Sequence, residues 1–287
     1  MQIFCVLFAY VIFLLYLCTR FACRSINDMK TVVITGGSSG IGKATAEVFA
    51  ERGWRVFEWS RSGQSTERIT HVPCDVTKPE QTKAAMQQVL ARTDHIDVFI
   101  SNAGFGISGA VEFTTPEDAH RQMEVNFFGA LNSVQAVLPH MRERKAGRII
   151  FTSSVAAILS IPYQSFYSAS KAAINALALA LQNEVREFGI YVSVLMPGDV
   201  STGFTAARKK FEEGMDAYGH IHNAVATMEK DEQGGMSPRK MAQQLYRIAT
   251  HRCPAPQYVS GFSYAVLCFL DRLLPKRLVN WIVAQCY

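Results

Sequence analysis

Short apolar runs alternate with longer amphipathic stretches from residue 31 to about residue 251. The short runs are rich in β-branched and aromatic residues, which favour buried strands. The predicted strands cover residues 31–35, 55–60, 69–73, 96–100, 148–152 and 191–196. Apolar residues recur at helical spacing in the stretches between them, and the predicted helices cover residues 43–52, 77–92, 116–144, 167–188 and 238–251. This alternation predicts an α/β fold, a single doubly wound parallel sheet with helices on both faces.

A glycine-rich turn joins the first predicted strand to the first predicted helix. Gly36, Gly40 and Gly42 have the spacing G-x-x-x-G-x-G, with Ser38 and Ser39 between them. Glycine lets the backbone approach a pyrophosphate closely, and the N–H groups at a helix start favour negative charge. The turn therefore predicts a phosphate site. Two alternatives stay open: the G-x-S-x-G nucleophile elbow of a serine hydrolase, and a turn that holds no ligand.

The end of the second strand carries a signal for the cofactor. In a dinucleotide-binding sheet this end faces the adenosine ribose, where an acid accepts the 2′-hydroxyl and an arginine accommodates a 2′-phosphate. This chain has Ser60 and Arg61 there, whereas Glu58 should lie further back along the strand. We therefore expect NADP(H) rather than NAD(H). The alternative for Arg61 is an ordinary solvated loop charge.

A tyrosine and a lysine follow the fifth predicted strand. Tyr167 and Lys171 are four residues apart, so they project from the same face of one helix. An ammonium near a phenol favours the phenolate and lowers a pKa of about 10, which suits a general acid/base. Ser154, delivered by the strand, can hydrogen-bond the same substrate oxygen. The alternatives are an ordinary solvated helix face and the S-x-x-K of an acyl-enzyme, although S-D-N and K-T-G do not occur here.

Two further features point to the same edge of the sheet. Asn102, Ala103 and Gly104 end the fourth predicted strand, and such small residues suit a close approach of cofactor. Asn126 lies inside the predicted helix of residues 116–144, where an asparagine amide competes for backbone hydrogen bonds. An unfavourable residue in that place indicates a functional role.

These residues together resemble the short-chain dehydrogenases/reductases, whose T-G-x-x-x-G-x-G, N-A-G and Y-x-x-x-K motifs occur here in the family's order over about residues 30–250. The resemblance implies a Rossmann-like fold and hydride transfer between a nicotinamide and a carbonyl or alcohol carbon. The catalytic residues that it implies are Asn126, Ser154, Tyr167 and Lys171. The cofactor-binding residues that it implies are Thr35, Gly36, Ser38, Ser39, Gly40, Ile41, Gly42, Ser60, Arg61, Asp75, Val76, Asn102, Ala103, Gly104, Tyr167, Lys171, Pro197, Gly198, Val200 and Thr202.

The resemblance also implies a role for each catalytic residue. Tyr167 exchanges a proton with the substrate oxygen, and Lys171 lowers the pKa of Tyr167 and holds the nicotinamide ribose. Ser154 orients the substrate, and Asn126 holds a water in the proton relay. The chain departs from the family in the connection after Arg61, where nine residues are too few for a crossover helix. A dinucleotide-binding regulator or scaffold of the same fold is the alternative function.

The two ends of the chain differ from the domain between them. Residues 1–19 are apolar and uncharged, close to the ~20 residues that span a bilayer. Arg20, Arg24 and Lys30 follow them, so the positive-inside rule predicts a membrane anchor with the catalytic domain in the cytosol. If translation starts at Met29, the protein is instead soluble and cytoplasmic. The predicted divisions are residues 1–28, a catalytic domain of residues 29–253 with a lid at about 199–237, and an apolar C-terminal extension of residues 254–287.

The substrate class and the partners have weaker signals. The loop of residues 155–163 is apolar and favours a lipophilic ketone or alcohol, such as a steroid, a retinoid or an acyl-chain compound. The C-terminal extension is apolar with interspersed bases, which is typical of an interfacial membrane helix and equally of core or dimer packing. A net charge of +5 without a Lys/Arg run does not suggest nucleic acid. We expect a homo-oligomer, and no metal site because the cysteines and histidines lack metal-ligand spacing.

Overall fold

The computed structural model describes residues 31–210 and 217–286. The predictions for residues 1–28, which concern the membrane anchor and the alternative start, lie outside the described residues. Most of the predicted catalytic domain and of the predicted C-terminal extension lies within the described residues.

Parallel strands form one central sheet. They are β1 (Thr31–Thr35), β2 (Arg55–Ser60), β3 (Ile69–Pro73), β4 (Val98–Ser101), β6 (Gly147–Thr152), β7 (Ile190–Pro197) and β9 (Gln257–Ser260). A separate short pair consists of β5 (Ile107–Ser108) and β8 (Lys209–Lys210). The order of the central sheet is β3-β2-β1-β4-β6-β7-β9. Because the order reverses between β1 and β4, a crevice opens there at the carboxyl ends of the strands.

Helices cover both faces of this sheet. The α-helices are α1 (Gly40–Glu51), α2 (Pro79–Leu90), α3 (Pro116–Met123), α4 (Gly129–Arg144), α5 (Ser165–Glu184), α6 (Phe204–Ala207), α7 (Ile221–Gln233), α8 (Pro238–Thr250), α9 (Phe262–Leu273) and α10 (Lys276–Cys286). Alternate residues of β1 enter opposite cores, since Val33 belongs to one apolar cluster and Val32 and Ile34 to the other. The first cluster includes residues of α2, α4 and α5, and the second residues of α1 and α8. The predicted doubly wound α/β fold is confirmed.

Several predicted boundaries move by a few residues. Helix α2 begins at Pro79 rather than at residue 77, since proline is suited to the first helical position. Helix α5 ends at Glu184, and the remaining residues to Phe188 form a 3₁₀ turn before Gly189, whose φ is +68°. A glycine in the left-handed region is a common helix terminator.

The long helix predicted over residues 116–144 is wrong in its middle. Helix α3 ends at Met123, a π turn covers Glu124–Phe128, and α4 then begins at Gly129. A π turn inserts an extra residue and is frequent at functional sites. Asn126 lies in this turn and is fully buried.

The segment that the sequence assigned to the C-terminal extension joins the central sheet. Strand β9 pairs in parallel with β7, with Leu195 opposite Tyr258, and α9 and α10 follow it. Within residues 31–210 and 217–286, no helix combines the length and the apolar character needed to cross a membrane.

The apolar packing of α1 against α8 predicts how a substitution there changes the stability of the protein. Phe49 contacts Tyr246 of α8 with ring centroids 5.1 Å apart, and Leu245 is fully buried in the same cluster. We expect Leu245→Ala to lower the free energy of unfolding by about 3 kcal/mol, because it leaves a cavity. The matched change Leu90→Ala, at an exposed position of α2, should cost less than about 1 kcal/mol. Urea denaturation of both variants measures the difference, and equal losses would contradict this packing.

Candidate active site

The glycine-rich turn after β1 has a backbone that only glycine adopts easily. Gly36 and Gly40 have φ values of +68° and +53°, in the left-handed region. A Cβ at Gly36 would lie 2.9 Å from the Cα of Ala103, and a Cβ at Gly42 would lie 2.1 Å from the carbonyl oxygen of Gly36. The turn is therefore pressed against both its own helix and the end of β4.

Helix α1 begins in this turn with its N-terminus uncapped by a side chain. Ser39 occupies the N-cap position without a side-chain cap, and the first turn of the helix carries no acid. Ser38 and Ser39 are exposed beside it. Uncapped N–H groups and the helix dipole together favour an anion. The cradle therefore has the features of an anion site, and the predicted binding of a pyrophosphate stays a prediction.

A hydrogen-bond network joins the ends of β1 and β4. The Thr35 hydroxyl accepts from the N–H groups of Asn102 and Ala103 at 2.9 and 3.0 Å. The Asn102 amide donates in turn to the carbonyl of Thr35 at 3.2 Å. These bonds fix the predicted Asn-Ala-Gly segment at the point where the strand order reverses.

The adenosine side has an arrangement that the sequence did not fully predict. Ser60 is buried at the end of β2 and Arg61 is exposed. The Glu58 side chain is buried, bonds His71 of β3, and is covered by Gly63, where a Cβ would lie 1.8 Å from its carboxylate. This carboxylate is thus engaged within the sheet, and the exposed group at the strand end is Arg61.

Two of the predicted cofactor-binding residues lie after β3. Asp75 accepts from the N–H and hydroxyl of Thr77 at 3.0 and 2.8 Å, so its carboxylate organises the turn that precedes α2. Val76 is buried, and its carbonyl accepts from Asn132 of α4 at 3.0 Å. Neither residue lines the cavity that contains the glycine-rich turn.

Ser154, Tyr167 and Lys171 converge at the carboxyl ends of β6 and β7. Ser154 follows β6, accepts from the N–H of Ala156 at 3.1 Å, and lies close enough to the Tyr167 phenol to lower the pKa of that group. The Lys171 ammonium donates to the carbonyl of Thr152 at 3.0 Å and lies 5.7 Å from the centroid of the Tyr167 ring. One turn of α5 and the end of β6 therefore present all three side chains to one cavity.

The pKa of Tyr167 differs from the sequence prediction. Burial raises the pKa of Tyr167 to about 12, although the nearby Ser154 hydroxyl acts in the opposite direction. Burial also lowers the pKa of Lys171 to about 8. The predicted fall in the phenol pKa is wrong for the protein chain alone. Desolvation is the largest effect, and the Lys171 ammonium does not offset it because the ammonium lies over the ring and bonds Thr152 instead of the hydroxyl.

Asn126 supports the site from beneath. Its amide accepts from the N–H of Phe105 at 3.0 Å and donates to the Phe105 carbonyl at 3.1 Å and to Ser170 at 3.0 Å. Both amide N–H groups are thereby used. The side chain ties the π turn to the segment after β4 and to α5, next to Lys171.

A cavity of about 490 Å³ contains this centre and the glycine-rich turn. The cofactor-site residues that line it are Gly36, Ser39, Gly40, Ile41, Asn102, Ala103, Gly104, Pro197, Gly198, Val200 and Thr202. Of the apolar wall predicted from residues 155–163, Val155 and Ile161 line the cavity. Other residues that line the cavity belong to none of the predicted site residues: Phe105, Gln164, Asp199, Phe204, Ala207, Met228, Glu232 and Tyr264.

Tyr264 reaches the cavity from α9. Its ring packs on Gly198, where an added Cβ would lie 2.1 Å from the ring, and its hydroxyl donates to Asp199. Burial raises the pKa of the Asp199 carboxyl. Nothing in the sequence distinguishes Tyr264 from the other residues of the apolar C-terminal segment. This contact could therefore be found only from the structure.

Helix α7 closes another side with an ion pair. Glu232 accepts from Arg208 and from the Thr205 hydroxyl. Met228, on the same helix, accepts from the buried Gln164 amide at 3.2 Å. The segment predicted as a lid at residues 199–237 thus supplies part of the cavity wall, and its movement stays a prediction.

Comparison with known proteins identifies the family. The family model described as short chain dehydrogenase matches residues 30–213. A 3-ketodihydrosphingosine reductase of Bacteroides thetaiotaomicron is 39% identical over 229 residues, which are 78% of this chain and 85% of that protein. Dehydrogenase/reductase SDR family member 7B of Bos taurus is 32% identical over 75% of this chain and 68% of its own.

Solved structures agree with this assignment. A short-chain dehydrogenase from Streptomyces avermitilis has a TM-score of 0.79 and 29% identity, covering 90% of this chain and 98% of its own. The glycine cradle, the Asn-Ala-Gly segment and the Ser-Tyr-Lys centre occupy one cavity in the matched region. The chain is therefore an oxidoreductase with a Rossmann-like, nucleotide-binding fold, and it belongs to the short-chain dehydrogenase/reductase family.

Proposed function

We propose that this protein is an NADP(H)-dependent reductase of a lipophilic carbonyl compound, with Tyr167 as the proton donor. The observation that carries the proposal is the convergence of Ser154, Tyr167 and Lys171 in the cavity that also holds the glycine-rich turn. A chain that only bound a dinucleotide would not need a phenol, a serine hydroxyl and a buried ammonium together in one cavity.

The chain's residues suit the dinucleotide along its whole length. The cradle of Gly36, Gly40 and the start of α1 would hold the pyrophosphate, and Arg61 a 2′-phosphate. Lys171 and Tyr167 would hold the nicotinamide ribose, and residues 197–202 the nicotinamide end. When bound, the cofactor supplies the hydride.

The proton chemistry follows from burial. With a pKa raised to about 12, Tyr167 keeps its proton at neutral pH and can donate it to a carbonyl oxygen that becomes an alkoxide. Ser154 lines the same cavity as the phenol, where its hydroxyl would bond that oxygen. Lys171 stabilises the phenolate that remains. Both N–H groups of the Asn126 amide are engaged. A main-chain carbonyl of the π turn, rather than the Asn126 side chain, would therefore hold a relay water.

The substrate class rests on the cavity wall and on a relative. Phe105, Val155, Ile161, Phe204 and Met228 give the cavity a mainly apolar wall. A relative at 39% identity is named a 3-ketodihydrosphingosine reductase. A ketone on a long acyl-derived chain is therefore the first substrate to test.

The other interpretations of the motifs have less support. Ser168 accepts from the N–H of Ile161 at 3.3 Å, whereas Lys171 bonds Thr152, so the S-x-x-K pair is not arranged as nucleophile and base. No histidine lines the cavity in the described part of the chain, so the G-x-S-x-G match has no evident base there. A regulator that binds the dinucleotide without turnover remains the second outcome of the assay below.

Removing the phenol hydroxyl tests the proposed role of Tyr167. We expect Tyr167→Phe to lower kcat for NADPH-dependent reduction of long-chain ketones by about 10²- to 10⁴-fold, because the proton donor is lost. NADPH binding, measured by fluorescence titration, should persist. Tyr246→Phe on α8 is the control and should keep its activity. If the wild type binds NADPH but reduces none of the ketones, the regulator is favoured.

The cofactor preference is tested at the end of β2. Arg61→Ser should weaken NADPH binding by about tenfold or more, because a charge-assisted contact to the 2′-phosphate is lost. NADH binding should change little. Arg68→Ser, at a nearby exposed arginine, should leave both affinities unchanged. Fluorescence titration measures them, and equal weakening of NADPH and NADH would contradict the assignment of Arg61.

The lowered pKa of Lys171 predicts an alkaline limit to reduction. The side chain is an ammonium below about pH 8 and loses its proton above that value. Reduction should then lose the charge that stabilises the phenolate, so kcat/KM should fall by about tenfold per pH unit. Initial rates between about pH 6 and pH 10 test this dependence. Lys171→Arg keeps the charge, so the activity that remains in this variant should not fall at alkaline pH. A wild-type kcat/KM that stays constant up to about pH 10 would refute the prediction.

A further inference from the structure

The outer side of the last two helices is apolar. On α9, Phe262, Phe269 and Leu273 recur at intervals that place them on one helix face, and they are 87%, 59% and 65% exposed. Trp281 of α10 is 59% exposed. We define the C-terminal apolar face by its exposed residues, which are Phe262, Val266, Phe269, Leu273, Leu278 and Trp281.

This face is distinct from the side by which α9 packs on the domain. Cys268 and Asp271 are buried on the inner side, and Tyr264 contacts Gly198 there. Single exposed apolar residues are ordinary, but several on one helix face, as on α9, mark a binding surface. The outer residues of α9 are therefore available for a partner.

Charge indicates what kind of partner suits this face. Between residues 261 and 286 the bases are Arg272, Lys276 and Arg277, and the one acid is Asp271. Lys276 bonds Asp271 at 2.6 and 2.7 Å, so two exposed arginines remain beside the apolar face. Aromatic and aliphatic side chains bordered by bases are typical of helices that lie in a membrane interface.

The same helix forms part of the active-site wall. Tyr264 lines the cavity, packs on Gly198 and donates to Asp199, and it lies two residues after Phe262. A partner of the C-terminal apolar face would thus be held close to a cavity with a mainly apolar wall. A lipid surface suits both features, because it offers apolar contact and anionic headgroups at one place.

We propose that the C-terminal apolar face docks this protein on an anionic lipid bilayer. The apolar side chains enter the boundary between headgroups and acyl chains, and Arg272 and Arg277 lie among the headgroups. The docking uses residues other than the predicted anchor at residues 1–19. It does not depend on the reaction proposed above, so either proposal can fail without the other.

Tryptophan fluorescence offers a direct test in the full chain. The protein has three tryptophans, and Trp54 and Trp59 are buried in the domain. On vesicles of phosphatidylcholine with about one third phosphatidylglycerol, brominated acyl chains should quench Trp281. The quenching should be absent from Trp281→Phe. Binding to the vesicles without this quenching, or no binding at all, would overturn the proposal.

Substitutions on the face provide the matched comparison. Replacing Phe262, Phe269 and Leu273 together by glutamine should reduce the quenching at subsaturating lipid by at least about tenfold, since apolar contact is lost. The control replaces three exposed apolar residues elsewhere by glutamine: Leu90, Val111 and Leu179. The control should retain the quenching. Circular dichroism confirms folding, and if the triple variant does not fold, quenching of wild-type Trp281 still decides.

Two further measurements separate the occupants of the face. Arg272→Gln with Arg277→Gln should weaken binding to anionic vesicles by about fivefold for each base, with little effect on pure phosphatidylcholine. Light scattering determines the mass of the wild type and the triple variant without lipid. A wild-type dimer that the triple substitution dissociates would show that a second copy covers the face, and would overturn lipid docking.

Discussion

The contact of the glycine-rich turn with the end of β4 is the constraint on which the rest of the site depends. A Cβ at Gly36 would lie within 2.9 Å of the Ala103 backbone, and the Thr35 hydroxyl accepts two backbone N–H groups from the β4 end. Together they set the width of the crevice at the reversal of strand order. The N-terminus of α1 is brought to the same place, so the glycine-rich turn and the side chains of Ser154, Tyr167 and Lys171 share one cavity.

Burial then determines the chemistry within that cavity. The same desolvation that raises the pKa of Tyr167 to about 12 lowers that of Lys171 to about 8. The phenol is therefore protonated, and the ammonium is close to losing its charge. This state suits the proton donation that the proposed reduction requires. The π turn contributes by holding Asn126 fully engaged beneath the pair, so that the lysine and the segment after β4 keep a fixed separation.

Much of the fold and of the centre could be predicted because the signals are local. The β-branched runs, the spacing of Gly36, Gly40 and Gly42, and the interval from Tyr167 to Lys171 can each be recognised within a short window. Features set by distant partners could not be recognised. The π turn depends on Phe105, the engaged carboxylate of Glu58 depends on His71, and Tyr264 depends on Gly198. The phenol pKa was mispredicted for the same reason, since burial is a property of the folded chain.

Tyr264 is the clearest example of a residue whose importance lies in what it connects. Its ring occupies the space that a side chain at position 198 would need, and its hydroxyl bonds Asp199 at the cavity. Any displacement of α9 would separate the ring from Gly198 and break that bond. The outer face of the helix and the wall of the active site are therefore two sides of one element. Whatever holds α9 from outside also holds Tyr264 and Asp199 in place, and this contact is possible because position 198 has no side chain.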